Sequence, residues 1–155
     1  MGNSRINRLA VTAVLGGVLA VAMNCRPSTQ VTFDISTDVP CAQISGTVIT
    51  VGAEGETERA SPATVTTVCR QDGTVGAIGT YAVAPRRADA VASFKVAVAV
   101  TDGINAETDC TAAKKYAGCI VARRRISFVP QRGLVVPVQL WLVCKDVGSG
   151  GQLSL

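Results

Sequence analysis

The fold is decided by a stretch of eight residues, FKVAVAVT at positions 94–101. Its larger apolar side chains occupy every second position, and Lys, Ala and Thr lie between them. Successive side chains of a β-strand point to opposite faces, so this alternation is typical of a strand with one face in a core. Two further stretches alternate in the same way, VTFDIS at positions 31–36 and LVVPVQLWLV at positions 134–143. These three segments predict an all-β protein.

Weaker strands are predicted in the rest of the chain, at positions 45–51, 64–68, 78–84 and 119–129. Val, Ile and Thr, which favour strands, together number 46 of the 155 residues. About seven short strands separated by Gly, Pro and Asp turns are typical of a single antiparallel two-sheet sandwich, of the immunoglobulin or transthyretin type. Pro137, within the last strand, is expected at a sheet edge or a bulge. The only helical candidate is short, at positions 111–116.

The composition excludes several classes of function. The chain has 155 residues, enough for one domain, and contains no histidine. Zinc sites with imidazole ligands and catalytic groups of the Ser-His-Asp or Cys-His type are therefore excluded. A formal net charge of +4 is too small to indicate nucleic-acid binding. The sequence contains no catalytic constellation and no cofactor or metal motif, and it predicts a non-enzymatic protein without cofactors.

The first 24 residues have the organisation of an export signal. Arg5 and Arg8 precede an uninterrupted run of small and apolar residues at positions 9–23, and the chain becomes polar at Asn24. A charged head followed by an apolar stretch shorter than the about 20 residues of a membrane span is typical of a secretory signal. Two processing sites compete, cleavage after Ala22 and lipid attachment to Cys25 as in bacterial lipoproteins. We therefore divide the chain into an export signal (1–24), a sandwich domain (25–147) and a flexible tail (148–155).

The cysteines indicate an oxidising compartment. Besides Cys25, five are candidate disulfide partners: Cys41, Cys69, Cys110, Cys119 and Cys144. Cys110 and Cys119 flank a short loop and are the favoured local pair. If Cys25 is an ordinary residue, all six cysteines can form three bridges, and if it carries lipid, one of the other five stays unpaired. The sequence leaves both alternatives open.

Several stretches resemble a known group of proteins. They are Thr37–Pro40, Gly118–Arg124, Phe128 and the aliphatic strand that ends in Cys144. In these residues the chain resembles small, uncharacterised exported proteins and lipoproteins that are abundant in myxobacteria. The resemblance implies an export signal, in many members a lipid-bearing cysteine, and a β-sandwich, and it implies no activity. This chain lacks the cysteine-rich tail of that group, and Asn24 replaces the small residue that usually precedes the lipidated cysteine.

The densest charge lies in Arg123-Arg124-Arg125. On a strand, Arg123 and Arg125 point to one face, and Arg124 shares the other face with apolar side chains. Because burying an unpaired guanidinium is costly, we expect Arg124 at a bulge, at a sheet edge, or beside an acid such as Asp34 or Asp38. Arg123 and Arg125 are candidate binding residues for acidic glycans, lipopolysaccharide phosphate or anionic lipid headgroups. The favoured alternative is an ordinary solvated face with ion pairs.

Two aromatic residues and one acidic loop complete the candidates. Trp141 and Tyr81 are candidate binding platforms, but Trp141 lies opposite the leucines of its strand, and burial in a second core face is the favoured interpretation. The loop at positions 102–109 offers oxygen ligands that suit Ca²⁺. Their order differs from that of known calcium loops, and a simple turn is favoured.

Together these features predict an exported cell-envelope protein that is not an enzyme and acts as a structural or protein-interaction sandwich. The alternative is a carbohydrate- or envelope-polymer-binding module that uses Trp141, Tyr81 and the arginines. The expected partner is an envelope protein or a polysaccharide, and membrane contact is expected only through a lipid on Cys25. With that lipid, the protein is expected at the outer membrane, at the cell surface or in the periplasm, and without it, we expect secretion.

Overall fold

The computed structural model describes residues 28–85 and 91–146. They form the predicted all-β sandwich, with two four-stranded sheets. The strands are β1 (Gln30–Thr37), β2 (Gly46–Gly52), β3 (Thr64–Thr66), β4 (Arg70–Asp72), β5 (Val75–Val83), β6 (Val91–Ala99), β7 (Cys119–Ser127) and β8 (Gly133–Leu140). The connections contain one turn of helix, α1 (Ala106–Asp109), and two 3₁₀ turns, Cys41–Gln43 and Leu142–Cys144. No helix among the described residues is long and apolar enough to cross a membrane.

Some sequence predictions fall outside the described residues. These are the export signal (1–24), the lipidation candidate Cys25, and the C-terminal tail (148–155). They stay predictions.

Sheet A has the strand order β4-β5-β1-β8, and sheet B has the order β3-β2-β6-β7. All seven predicted strands are present, and the additional strand, β4, is only three residues long. β1 and β8 pair in parallel, whereas the sequence predicts antiparallel pairing throughout. Two parallel strands must be joined by a long connection. Here the connection from β1 to β8 is long because it includes every strand of sheet B. β1 pairs with β5 and β8 rather than with β2, which differs from the strand order of immunoglobulin domains.

The core lies between the two sheets and is mainly aliphatic. At its centre the Phe33 ring of sheet A stacks on the Phe94 ring of sheet B, with 3.8 Å between ring centroids and 11° between ring planes. The inward positions of β1, β6 and β8 follow the predicted alternation and are buried at Val31, Phe33, Ile35, Phe94, Val96, Val98, Val138 and Leu140. Burying each such side chain contributes about 1.5–3 kcal/mol. The alternation in these stretches therefore reflects the core.

The outer face of sheet B carries a second, smaller apolar cluster. The connection between β6 and β7 folds back over this face, so Ala97 and Ala99 are buried although the alternation assigns them to the outside. Cys110, Tyr116 and Cys119 belong to the same cluster. β6 is therefore covered on both of its faces.

The edges of both sheets are short or interrupted. β3 and β4 have three residues each, and Pro137 lies on the edge strand β8, as predicted. The remaining edge strand, β7, carries the three arginines and is bridged at Ile120 by Lys145. Short strands, prolines and charges limit edge-to-edge pairing between copies of a protein.

The parallel pairing of β1 and β8 defines the two ends of the sandwich. Both strands begin at one end, the Gln30 end, and both finish at the other, the Leu140 end. Thr29 is held at the Gln30 end, where its Oγ1 accepts a hydrogen bond from the Gln131 N–H (2.8 Å). The first described residues, Ser28 and Thr29, therefore lie at the Gln30 end.

Candidate functional site

Two cations lie opposite each other on the outer face of sheet B. Lys95 of β6 pairs in register with Arg123 of β7, and Thr50 of β2 lies on the other side of Lys95. Like charges directly across a sheet repel each other. Lys95 is only 7 % exposed, and a buried ammonium is rare in proteins unless it is paired. The two cations therefore require a nearby carboxylate.

Glu58 supplies this carboxylate from the connection between β2 and β3. Its Oε1 accepts hydrogen bonds from Arg123 Nε (2.9 Å) and Nη2 (2.7 Å), and its Oε2 accepts one from Lys95 Nζ (3.0 Å). Charge-assisted hydrogen bonds of this kind are about twice as strong as neutral ones. One carboxylate thus neutralises both cations. We call residues 53–63 the acidic loop, because they include Glu54, Glu56 and Glu58.

Tyr116 reaches the same carboxylate from the connection between β6 and β7. Its hydroxyl donates a hydrogen bond to Glu58 Oε2 and lies 3.4 Å from Lys95 Nζ. The centre of its ring lies 5.6 Å from Lys95 Nζ and 5.0 Å from Arg123 Cζ, within the range of cation–π attraction. Tyr116 is buried. Its ring therefore forms one wall of the carboxylate site.

The local backbone explains how Tyr116 arrives there. Lys115 and Tyr116 both have positive φ angles, 53° and 55°. Residues other than glycine adopt this region rarely, and it turns the chain sharply. The disulfide between Cys110 and Cys119 closes the same excursion and ties it to the first residue of β7. The turn and the disulfide together bring the ring onto sheet B.

These contacts shift two ionisation equilibria. Burial would raise the pKa of Glu58, but the hydrogen bonds from Tyr116, Arg123 and Lys95 outweigh burial and lower the pKa to about 2. Burial and the hydrogen bond to the Glu58 carboxylate raise the pKa of Tyr116 to about 12. At neutral pH the site therefore contains a charged carboxylate, two cations and a neutral phenol. A carboxylate of such low basicity is a poor general base.

A second ion pair continues this arrangement along β7. Arg125 Nη1 lies 3.3 Å from Glu54 Oε1 of the acidic loop, and both side chains are largely exposed. Arg123 and Arg125 share a face of β7, as the sequence predicts. We call Lys95, Arg123 and Arg125 the basic strip. The acidic loop supplies a carboxylate to each cation of this strip, so the ion-paired face is the interpretation that the structure supports.

Three residues of this site, Glu58, Lys95 and Tyr116, are not among the binding candidates that the sequence predicts. A signal for Lys95 is present in the sequence, because a lysine within the apolar stretch 94–101 needs a partner if both faces of that strand are covered. The sequence contains no comparable signal for Glu58 or Tyr116. Their contacts depend on how two long connections fold over the sheet, and residue spacing carries no information about that.

Arg124 lies at a sheet edge, one of the three predicted outcomes. It pairs in register with Phe94, on the core side of the edge strand β7, and is partly exposed. Its Nη1 donates a hydrogen bond to the Arg123 carbonyl oxygen (2.9 Å). Asp38, one of the acids considered as its partner, instead accepts a hydrogen bond from the Leu142 N–H (2.6 Å). The edge position lets the guanidinium reach water from a core-facing site.

The favoured prediction for Trp141, burial in a core face, is wrong. β8 ends at Leu140, and Trp141 is 42 % exposed at the start of the following 3₁₀ turn. Leu142 and Val143 in that turn are exposed as well, at 42 % and 84 %. We call Trp141–Val143 the apolar knuckle. Tyr81, the other aromatic candidate, is partly buried and packs against the core, with its ring centroid 6.5 Å from that of Phe94.

Two disulfides are present, Cys41–Cys69 and Cys110–Cys119. The second is the local pair that the sequence favours, whereas the sequence did not specify the first. Cys144, a further disulfide candidate, is unpaired among the described residues and partly buried. Disulfides persist in oxidising compartments, and this pattern is typical of an extracellular or periplasmic protein.

The loop at positions 102–109, which contains α1 and was considered for Ca²⁺, is a structural turn. Asn105 caps α1, because its Oδ1 accepts hydrogen bonds from the N–H groups of Glu107 (2.9 Å) and Thr108 (3.2 Å). Asp109 forms an ion pair with Lys114, and this contact lowers the pKa of Asp109. Within residues 28–85 and 91–146, no group of three or more His, Cys, Asp or Glu side chains could hold a metal ion.

Comparisons with family models, with curated proteins and with solved structures gave no match for this chain.

Proposed function

We propose that this protein is an exported, non-enzymatic sandwich of the cell envelope, which is anchored through a lipid on Cys25 and acts by binding a partner. Three lines of reasoning support the proposal. The first 24 residues have the organisation of an export signal. The two disulfides suit an oxidising compartment. The resemblance to exported myxobacterial lipoproteins points the same way.

The observation that supports the lipid anchor is that Thr29, four residues after Cys25 in the sequence, and Cys144 lie at opposite ends of the sandwich. Thr29 is held at the Gln30 end, and Cys144 follows Leu140 at the other end. The eight steps from Thr29 to the end of β1 span about 26 Å at about 3.3 Å per residue. Four residues from Thr29 back to Cys25 reach at most about 14 Å, and a disulfide joins Cα atoms less than about 7 Å apart. A bridge between Cys25 and Cys144 within one chain is therefore disfavoured.

This separation bears on the two alternatives that the sequence left open. Plain secretion with three bridges would pair Cys25 with Cys144, since the other four cysteines are already joined. With that pairing disfavoured, Cys25 remains available for lipid and Cys144 remains a thiol. We assign no catalytic residue, because the charged groups brought together on sheet B bind each other.

The test is the intact mass of the natively expressed protein, before and after reduction and alkylation. We expect a diacylglyceryl-type mass on Cys25. Before reduction, alkylation should modify one thiol, and the Cys144→Ser substitution should remove that modification. Cys25→Ser is the matched control and should abolish the lipid mass while leaving both disulfides. A chain that begins at Met23 with three bridges and no lipid would overturn the anchor.

A second candidate, the envelope-polymer-binding module, is favoured by the exposure of Trp141. An exposed tryptophan ring offers an apolar face for a sugar or a protein side chain. A pull-down on isolated envelope polymers should then retain the wild-type protein and lose Trp141→Ala, while Val143→Ala, in the same knuckle, serves as the control. Equal retention of all three proteins, or retention of none, would rule out this candidate.

A further inference from the structure

The carboxylate site on sheet B contains more charged and hydrogen-bonding groups than the stability of the fold requires. Four donor groups converge on Glu58: two N–H groups of Arg123, the Lys95 ammonium and the Tyr116 hydroxyl. Replacing a buried ion pair by apolar side chains of similar volume is often neutral or stabilising in proteins. A covered face built only for stability would not need a lysine that is nine-tenths buried. The donor set has the composition of a carboxylate-binding site.

The carboxylate in this site is presented by a loop that has hydrogen bonds of its own and is anchored to the domain at the buried Thr57 and by the Ala63 N–H, which donates to the Ile49 carbonyl (2.8 Å). In the acidic loop the Glu56 N–H donates to the Ala53 carbonyl (2.9 Å), and the Arg59 and Ala60 N–H groups donate to the Glu56 carbonyl (3.0 and 2.9 Å). Its charged contacts with sheet B come from the side chains of Glu54 and Glu58. These two glutamates lie four residues apart in the loop.

The basic strip matches this spacing. Arg123 and Arg125 lie two residues apart on the same face of β7, which separates their Cα atoms by about 7 Å. Glu58 binds the first together with Lys95, and Glu54 binds the second. The Glu58 side chain is still 32 % exposed, so solvent and solutes reach the site. The loop therefore occupies the strip in the way an acidic peptide ligand would.

We propose that the basic strip is a binding site for an acidic peptide segment of a partner protein, with two carboxylates spaced as in Glu-x-x-x-Glu, and that the acidic loop is its built-in competitor. The inference deepens the proposed interaction role by naming the partner's chemistry, and it does not depend on the lipid anchor. A partner segment displaces Glu54 and Glu58, and its own carboxylates take over the bonds from Lys95, Tyr116 and Arg123.

The tethered loop sets how strongly an external peptide binds. A segment joined by a short linker competes at an effective concentration of the order of millimolar. If the loop occupies the strip for about 90–99 % of the time, the apparent affinity for an external peptide falls about ten- to a hundredfold. Removing the loop's charges should restore that affinity.

The binding test uses a labelled peptide with the sequence of residues 52–62, GAEGETERASP, and a control peptide in which Gln replaces the glutamates corresponding to positions 54 and 58. Fluorescence anisotropy is measured with the wild-type protein and with the Glu54→Gln/Glu58→Gln variant. We expect the variant to bind the acidic peptide more tightly than the wild type binds it, by a factor of about ten or more. The variant should bind the control peptide more weakly than it binds the acidic peptide, again by a factor of about ten or more. Adding Lys95→Met to the variant should weaken acidic-peptide binding by a similar factor. Equal binding of the two peptides, or no binding to the variant, would overturn the proposal.

A second measurement needs no substitution and covers the case in which the variant does not fold. Amide hydrogen exchange is followed in the wild-type protein at saturating acidic peptide. Because a single turn without packing support is marginally stable in water, displacement of the loop from sheet B should speed exchange at Glu56, Arg59 and Ala60, whose N–H groups are bonded within the loop, and the control peptide should have no effect. Unchanged exchange with the acidic peptide would contradict the loop as competitor. Either result leaves the envelope role unaffected, because the mass of the processed protein tests that role separately.

Discussion

Replacing Glu58 by Gln should destabilise the sandwich by an amount that depends on pH. The ordinary pKa of a glutamate is about 4.3, and in the folded protein the pKa of Glu58 is lowered to about 2. This difference in pKa of about 2.3 corresponds to about 3 kcal/mol, at 1.36 kcal/mol for each unit of pKa. Because the side chain is 32 % exposed, solvent screening reduces this figure, and we expect a loss of about 2 kcal/mol at pH 7. For a domain of this size the corresponding fall in Tm is about 8 °C.

The pH dependence has a defined direction. The folded state holds the carboxylate at a lower pKa than the unfolded state, so Glu58 stabilises the protein above the unfolded pKa, and this contribution is lost as pH falls towards 2. The difference between the wild type and Glu58→Gln should therefore be constant above about pH 5 and shrink to about a quarter of that value at pH 2.5. Denaturant unfolding at a series of pH values measures this difference.

Glu56→Gln is the matched control, because Glu56 lies in the same loop and has only an exposed contact of 3.7 Å with Arg59. Its substitution should change the free energy of unfolding by less than about 0.5 kcal/mol. The reasoning would be refuted by a Glu58→Gln variant as stable as the wild type at pH 7. A loss that stays the same down to pH 2.5 would refute it equally.

Three further variants test other parts of the structure. The double variant Cys110→Ala/Cys119→Ala opens the nine-residue separation that the disulfide closes, and it should lower the free energy of unfolding by about 2–3 kcal/mol in denaturant titrations. Phe94→Ala removes a fully buried ring from the stack with Phe33 and should cost about 3–5 kcal/mol, so a smaller loss by calorimetry would mean that the core collapses around the gap. Trp141→Ala, in the exposed knuckle, should change stability by less than about 0.5 kcal/mol; a larger loss would show that the ring packs more than its exposure indicates.

The sequence is informative about the fold because the core strands have one strong period. In the stretches at positions 94–101, 31–36 and 134–143, alternate apolar side chains point into the core. All seven predicted strands occur. The parallel pairing of β1 with β8 could not be predicted, because alternation reports which face of a strand is buried and says nothing about its neighbours. Burial of Ala97 and Ala99 on the second face was equally hidden, since alanine fits both a covered and an open face.

The site was less predictable for a related reason. Sequence spacing correctly groups Arg123 with Arg125 and offers the edge as one position for Arg124. It cannot pair Arg123 with Glu58, since those residues lie 65 positions apart and meet only because two connections fold over sheet B. Trp141 was misassigned because the apolar period continues past Leu140, where the strand stops and a turn begins.

The strand order also sets the sequence of events by which this protein can fold. β1 is an interior strand of sheet A, yet its parallel partner β8 is the last strand, and the Thr37 hydroxyl bonds to the Leu140 carbonyl across 103 positions. During synthesis the N-terminal part of the chain is made first. β1 therefore lacks this neighbour until almost the whole domain has been synthesised. Pairing over such distances is slow, because much of the chain must be ordered before the contact forms. The first strand of the domain therefore becomes native only when the last one has arrived.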